Sequence, residues 1–280
     1  MDIEKEFGIV QTHIRNGEHE MVRHRIDAIA AGTGDLSTLL KCASLLKAVD
    51  DEEGCQDILD KIAGTDIADG NERLTAAMSL RGLGRPDDAY RMIKDDGPSD
   101  KVFKERARCL LTMNRADEAL SEIKAVTDLS EEDTILMCTI LCSAGKFDEA
   151  HDAALRLANE NASYDASVNL CTVLMLSGKN KEAVSTARKY LKEEKNDADS
   201  LALAAYVMRI NGKTTAAAAY AHKALSIDHM HKGALETMAL CLIEKKKFAE
   251  AKMCAGAINE RSPGDPAVIR ILDMCRHSSQ

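Results

Sequence analysis

Several short constellations in this chain hold residue types that carry chemistry. Gly212-Lys213-Thr214 has the ending of a phosphate-cradling loop, but that loop needs a glycine five residues before Gly212, where Val207 stands. Gly82-Leu83-Gly84 opens a dinucleotide fingerprint whose third glycine is replaced by Asp87. No extended strand precedes either one. His19-Glu20 with His24 approaches a zinc-protease helix, yet the second histidine is five residues on and turned by about 140° from the first. His222, His229 and His231 cluster in sequence without a cysteine or carboxylate at ligand spacing. Cys138 and Cys142 share a helix face, and Asn161-Ala162-Ser163 is a glycosylation sequon without meaning in a cytosolic chain. No Ser/His/Asp set or carboxylate pair can be assembled. The expectation is a non-enzyme with no catalytic residue, no metal and no cofactor.

Charge and composition narrow what remains. Lys plus Arg number 37 against 46 Asp plus Glu, a net charge of −9. Nucleic-acid affinity rests on neutralising phosphates, so no nucleic-acid partner is expected. Aromatic residues are 3% and Trp is absent, so the core must be aliphatics, Met and Ala, which suits helices better than sandwiches or stacking platforms. Nine cysteines lie singly with no CxxC, which points to reduced thiols and a cytoplasmic location. The start, Met1-Asp2-Ile3-Glu4-Lys5-Glu6, lacks the apolar core of a signal peptide. The longest uncharged run, Ala166 to Gly178, is 13 residues, short of the roughly 20 that span a bilayer. No membrane contact is expected.

Length alone suggests about two domains, but a repeat governs the chain. A turn residue followed five positions later by a small apolar one recurs at Gly84…Ala89, Asn114…Ala119, Gly145…Ala150, Gly178…Ala183, Gly212…Ala217 and Lys246…Ala251. Weaker copies are Gly17…Val22 and Asp50…Cys55. Successive second members are spaced 33, 34, 30, 31, 33, 34 and 34 apart. Seven residues before each turn stand Val10, Ala43, Ala77, Ala107, Cys138, Cys171, Ala205 and Ala239. Between the columns the apolar spacing is helical, as in Leu170, Val173 and Leu174. Each unit therefore reads as a helix hairpin whose small residues allow close approach. Pro86 falls in the first turn of a second helix, Pro98 and Pro263 lie between units, and Asp265-Pro266 opens a last helix over about 266–276. The predicted fold is one all-α solenoid over 1–280: about eight antiparallel hairpins (3–265) and a C-terminal capping helix, with irregularity around 94–130, where the short spacings fall.

These columns resemble the tetratricopeptide repeat, with its period near 34 and small, Gly and Ala residues at the eighth, fifteenth and twentieth positions. Gly145-Lys146-Phe147-Asp148-Glu149-Ala150 is close to the family's turn signature. The family's fourth-position Trp is absent throughout. The resemblance implies a right-handed superhelix that binds a protein or peptide in its concave groove as a non-catalytic scaffold. Its groove positions fall on Lys47, Arg81, Lys101, Lys104 and Arg108 in the earlier repeats, and on Thr139, Val168, Thr172, Met175, Tyr206 and Arg209 in the later ones. A partner with an acidic segment for the basic slots is the expectation. Chaperone-tail docking is not expected, because Lys101 is followed four residues on by Glu105 rather than Arg. Homo-oligomeric assembly and, less favoured by the charge, helical-repeat RNA binding are the alternatives.

Overall fold

The computed structural model describes residues 2–161, 163–193, 197–262 and 265–277; Ala162 of the sequon and Pro263 lie outside them. Among these residues the chain forms seventeen α-helices and no strand. It divides into two compact units, Met1–Leu129 and Ser130–Gln280. The first holds the pairs α1 (Ile3–Asn16) with α2 (His19–Ala31), α3 (Leu36–Ala48) with α4 (Glu52–Ala63), α5 (Gly70–Gly82) with α6 (Pro86–Ile93), and α7 (Asp100–Thr112) with α8 (Ala116–Lys124). The second holds α9 (Glu131–Ser143) with α10 (Phe147–Glu160), α11 (Tyr164–Leu176) with α12 (Asn180–Glu193), α13 (Ala198–Ile210) with α14 (Thr214–Ile227), and α15 (Lys232–Glu244) with α16 (Phe248–Arg261). A last helix, α17 (Pro266–His277), closes it. Within the second unit α9, α11, α13, α15 and α17 each pack on the next in that order, so the first helices of the pairs form a continuous wall.

The turn column is the device that reverses the chain. All eight turn residues have positive φ: Gly17, Gly84, Gly145, Gly178 and Gly212, and also Asp50, Asn114 and Lys246 at 59–60°. In every case the following residue donates its N–H to the carbonyl five residues back, as Lys146 does to Leu141 (2.8 Å) and Lys247 to Leu242 (2.9 Å). This left-handed cap satisfies carbonyls that the helix end would otherwise leave open. The two weaker sequence copies, at Gly17 and Asp50, make the same turn.

Both small-residue columns are buried without exception, from Val10 to Ala239 in the first helices and from Val22 to Ala251 in the second. Cysteine fits this slot because its thiol has an acceptor across the hairpin. Cys138 Sγ points at the Ala150 carbonyl and Cys171 Sγ at the Ala183 carbonyl, each at 3.7 Å. Burial pushes the Cys171 thiol up to about 12. Packing thus accounts for these cysteines.

The short spacings have a local cause. Helices α6 and α8 run 8 and 9 residues, against 12 to 14 for the other second helices. Buried Arg106 on α7 ends α6: its Nε and Nη2 donate to the Ile93 carbonyl at 3.0 and 2.8 Å, and Nη2 also to the Asp96 carbonyl at 2.7 Å. A side chain from the next hairpin therefore takes the place of a further helical turn. In the first two hairpins Arg23 crosses from α2 to Asp51 (3.0 Å) and Asp57 (2.6 Å). Gly54 leaves that path open, since a Cβ there would stand 2.5 Å from Arg23 Nη1.

The final helix starts one residue after its cap, as the sequence predicts. Asp265 Oδ1 accepts the Ala267 N–H at 2.9 Å, and Val268, Ile271 and Cys275 are buried on one side of α17. They cover the apolar face of α15 and α16.

Candidate functional site

The first-helix wall of the second unit encloses an open groove of about 910 Å³. Val168 comes from α11, Tyr206, Arg209 and Ile210 from α13, Thr237 and Leu240 from α15, and Arg270 and Met274 from α17. Tyr206 is fixed by a relay. The single Thr172 hydroxyl hydrogen goes to the Val168 carbonyl (2.8 Å), so the Tyr206 phenol donates to Thr172 Oγ1 at 2.9 Å.

One end of the groove is built around His231. Its Nδ1 accepts the Ala234 amide (3.2 Å) and caps α15, which leaves Nε2 to carry the hydrogen and donate to Asp199 Oδ1 on α13 at 2.7 Å. Tyr164 stands edge-on to the imidazole, with ring centroids 5.1 Å apart. Its hydroxyl passes over Gly233, where a Cβ would lie 2.2 Å from the oxygen. Burial pushes the Tyr164 phenol up, so it stays neutral. The glycine is therefore a packing requirement of this corner.

Acidic and basic groups on the wall balance: Asp165, Asp199, Asp228 and Glu236 face Arg209, Lys232, Arg261 and Arg270. Arg270 pairs with Glu236, and Lys232 with Asp265 at 2.6 Å. Burial pushes the Asp265 carboxyl up, but the hydrogen bonds from Lys232 and the Ala267 amide outweigh it and hold it below its ordinary value.

The expected groove residues divide between the two units. Val168, Tyr206 and Arg209 line the cavity; Thr172 supports Tyr206, and Met175 Sδ receives the Asn211 amide at 3.9 Å. Thr139 is exposed on α9 and bonds its own helix at Ile135. In the first unit Lys47 pairs with Glu52 (2.7 Å) and Arg81 with buried Glu105 (2.6 Å). Lys104 and Arg108 are half-buried and engaged, and Lys101 is exposed on α7. The cavity at the starts of α3 and α5, about 640 Å³, is lined by Asp35, Asp66, Asp69 and Glu72 and by none of these five basic residues. Among the described residues no group of three or more His, Cys, Asp or Glu side chains is placed to hold a metal, and no helix is long and apolar enough to cross a membrane.

Comparison with known proteins bears on the architecture. A tetratricopeptide repeat protein from Parabacteroides merdae superposes with a TM-score of 0.50 at 11% identity, covering 86% of this chain and 98% of that one. The fold is that of the tetratricopeptide repeat. A family profile, anaphase-promoting complex, cyclosome, subunit 3, matches residues 177–258. Two further comparisons are looser. The C-terminal part of a repeat-containing protein from Cytophaga hutchinsonii gives a TM-score of 0.42 at 14% identity over 83% of this chain and 99% of that one. The APC/C hetero-tetramer Cut9–Hcn1 gives 0.43 at 12% identity over 94% of this chain, which spans about half (53%) of that chain. No curated protein matches.

Within this tetratricopeptide-repeat frame the sequence singled out His231 only as a member of an incomplete metal cluster, and it missed Tyr164 and Asp199. Tyr164 and His231 sit at or just before the starts of first helices, outside the groove positions carried over from the family, whereas Asp199 stands in the slot that Lys101 holds on α7. Asp199 is the carboxylate partner that the histidine cluster lacks at short spacing, 32 residues away from His231. Arg270 and Met274 were missed because the last helix reads from sequence only as a cover.

Proposed function

We propose that this chain is a non-catalytic protein-interaction scaffold whose second-unit groove holds an extended peptide segment of a partner protein. The observation that supports this most is the strip of Val168, Tyr206, Ile210 and Leu240 along the groove, flanked by walls whose charges cancel. Stacked helical hairpins present extended concave surfaces of this kind, and a peptide laid along one buries its apolar side chains while its polar groups meet the rims. The profile match over residues 177–258 is to a subunit of a multiprotein complex, which also supports a protein partner. Cysteines buried singly at packing positions fit a reducing compartment, and a cytoplasmic location is part of the proposal. For the first unit the proposal is limited to Lys101, Lys104 and Arg108 on α7 as a contact for an acidic segment.

The test is affinity purification from the native cell with wild type and Tyr206→Ala side by side, after both show the same helical content. Partners retained by wild type and lost from the variant support the groove; an unchanged set of partners overturns it. Homotypic assembly is the rival reading, removed if light scattering finds a monomer at every concentration.

A further inference from the structure

Arg209 is the under-satisfied charge of the groove. Its Nε–H is buried with no hydrogen-bond acceptor among the described residues. Its nearest carboxylate oxygen, Glu244 Oε1, stands 3.7 Å from Nη1, beyond hydrogen-bond reach. Glu244 is held by another bond, since its Oε2 accepts from the Thr214 hydroxyl on α14. Elsewhere on the wall Asp199 is satisfied by His231 and Glu236 by Arg270. Nε is sealed from the groove, so the donors open to a ligand are those of Nη1 and Nη2, which make no hydrogen bond among the described residues. A half-buried guanidinium with those donors to spare is set up to receive an acceptor from outside.

We infer that Arg209 anchors one side-chain carboxylate of the bound peptide, an Asp or Glu with aliphatic residues on both sides. This rests on the groove reading above. The planar fork of a guanidinium matches a carboxylate with two parallel hydrogen bonds. Arg209 lies on α13, with Val168 of α11 to one side and Leu240 of α15 and Met274 of α17 to the other. The peptide therefore continues past the anchor in both directions, which selects an internal acidic side chain over a chain terminus. Asp165 and Asp228 also line the groove. A phosphate or an acidic run would set several negative charges against them, whereas a single carboxylate sets one, which the guanidinium pairs.

The test uses the full chain and a displayed library of random peptides. Selection is expected to enrich peptides with one Asp or Glu between aliphatic residues. Their affinity falls about tenfold or more for Arg209→Gln, and equally when the peptide's own Glu is changed to Gln. The two losses do not add when combined, as a direct pair requires. Peptides that bind wild type, are lost by Tyr206→Ala and are indifferent to Arg209→Gln overturn the anchor while the groove stands. Enriched phosphopeptide or polyacidic probes in a parallel array overturn the single-carboxylate assignment. Failure to select any Tyr206-dependent peptide overturns the groove itself. Circular dichroism and thermal melting of Arg209→Gln confirm that the variant is folded.

Discussion

Lys246 holds a backbone φ of 59°, a region that costs an L side chain about 1–2 kcal/mol. Glycine enters it freely but loses more chain entropy on folding, about 0.5–1 kcal/mol relative to alanine. The difference predicts that Lys246→Gly stabilises the chain by about 0.5–1 kcal/mol, read as a higher urea midpoint with an unchanged slope. Asn114→Gly gains less, because asparagine tolerates the left-handed region. A lower midpoint for Lys246→Gly would show that its side chain contributes more than the turn costs. At this scale the sequence was fully legible: a glycine in five of eight turns marks the column, and the spacing identifies Asp50, Asn114 and Lys246 as its other members. Groove residues were less legible. Slot counting picks out Val168, Tyr206 and Arg209, which line the cavity, but it could not see that Glu52 and Glu105 reach Lys47 and Arg81. Those acceptors are supplied by how neighbouring helices stack, not by the slot itself.

At the scale of elements, the end of α6 is set from outside. Arg106 places three hydrogen bonds on the Ile93 and Asp96 carbonyls and lies 3.7 Å from Glu122. Arg106→Met keeps most of the buried stem but strips the Asp96 carbonyl of its Arg106 donor and leaves the Ile93 carbonyl only the Asp96 N–H at 3.2 Å, at a cost of about 2–4 kcal/mol. Hydrogen exchange should show α6 losing protection first; equal protection in α6 and α4 would contradict this. The shortened hairpin was visible in the sequence as spacings of 30 and 31. The agent was not, because an arginine in the middle of a predicted helix reads as a solvated face until the neighbouring helix end is seen beside it. The capping helix was read to within a residue, 266–276 against Pro266–His277, because Asp-Pro is a local signal and four apolar residues at helical spacing need a surface to cover.

The chain as a whole divides into two compact units, and the hairpin periodicity runs on through both. That periodicity has a practical consequence. Cysteine takes the small-residue columns at Cys55, Cys138 and Cys171, and with the cysteines at other helical positions thiols occur on α3, α4, α7, α9, α11, α15, α16 and α17. Burial raises the thiols at Cys42 to about 11 and at Cys109 to about 12, so neither offers much thiolate at neutral pH. Alkylation must then wait for each segment to open. Half-buried Cys254 should react first and Cys275 on the terminal helix next, while Cys138 and Cys171 in the interior of their unit should react last. Mass spectrometry of a timed labelling experiment checks the order, and a uniform rate would mean that the chain opens only all at once. The protein thus carries its own set of chemical clocks, spread along its length, each timing the opening of the segment that encloses it.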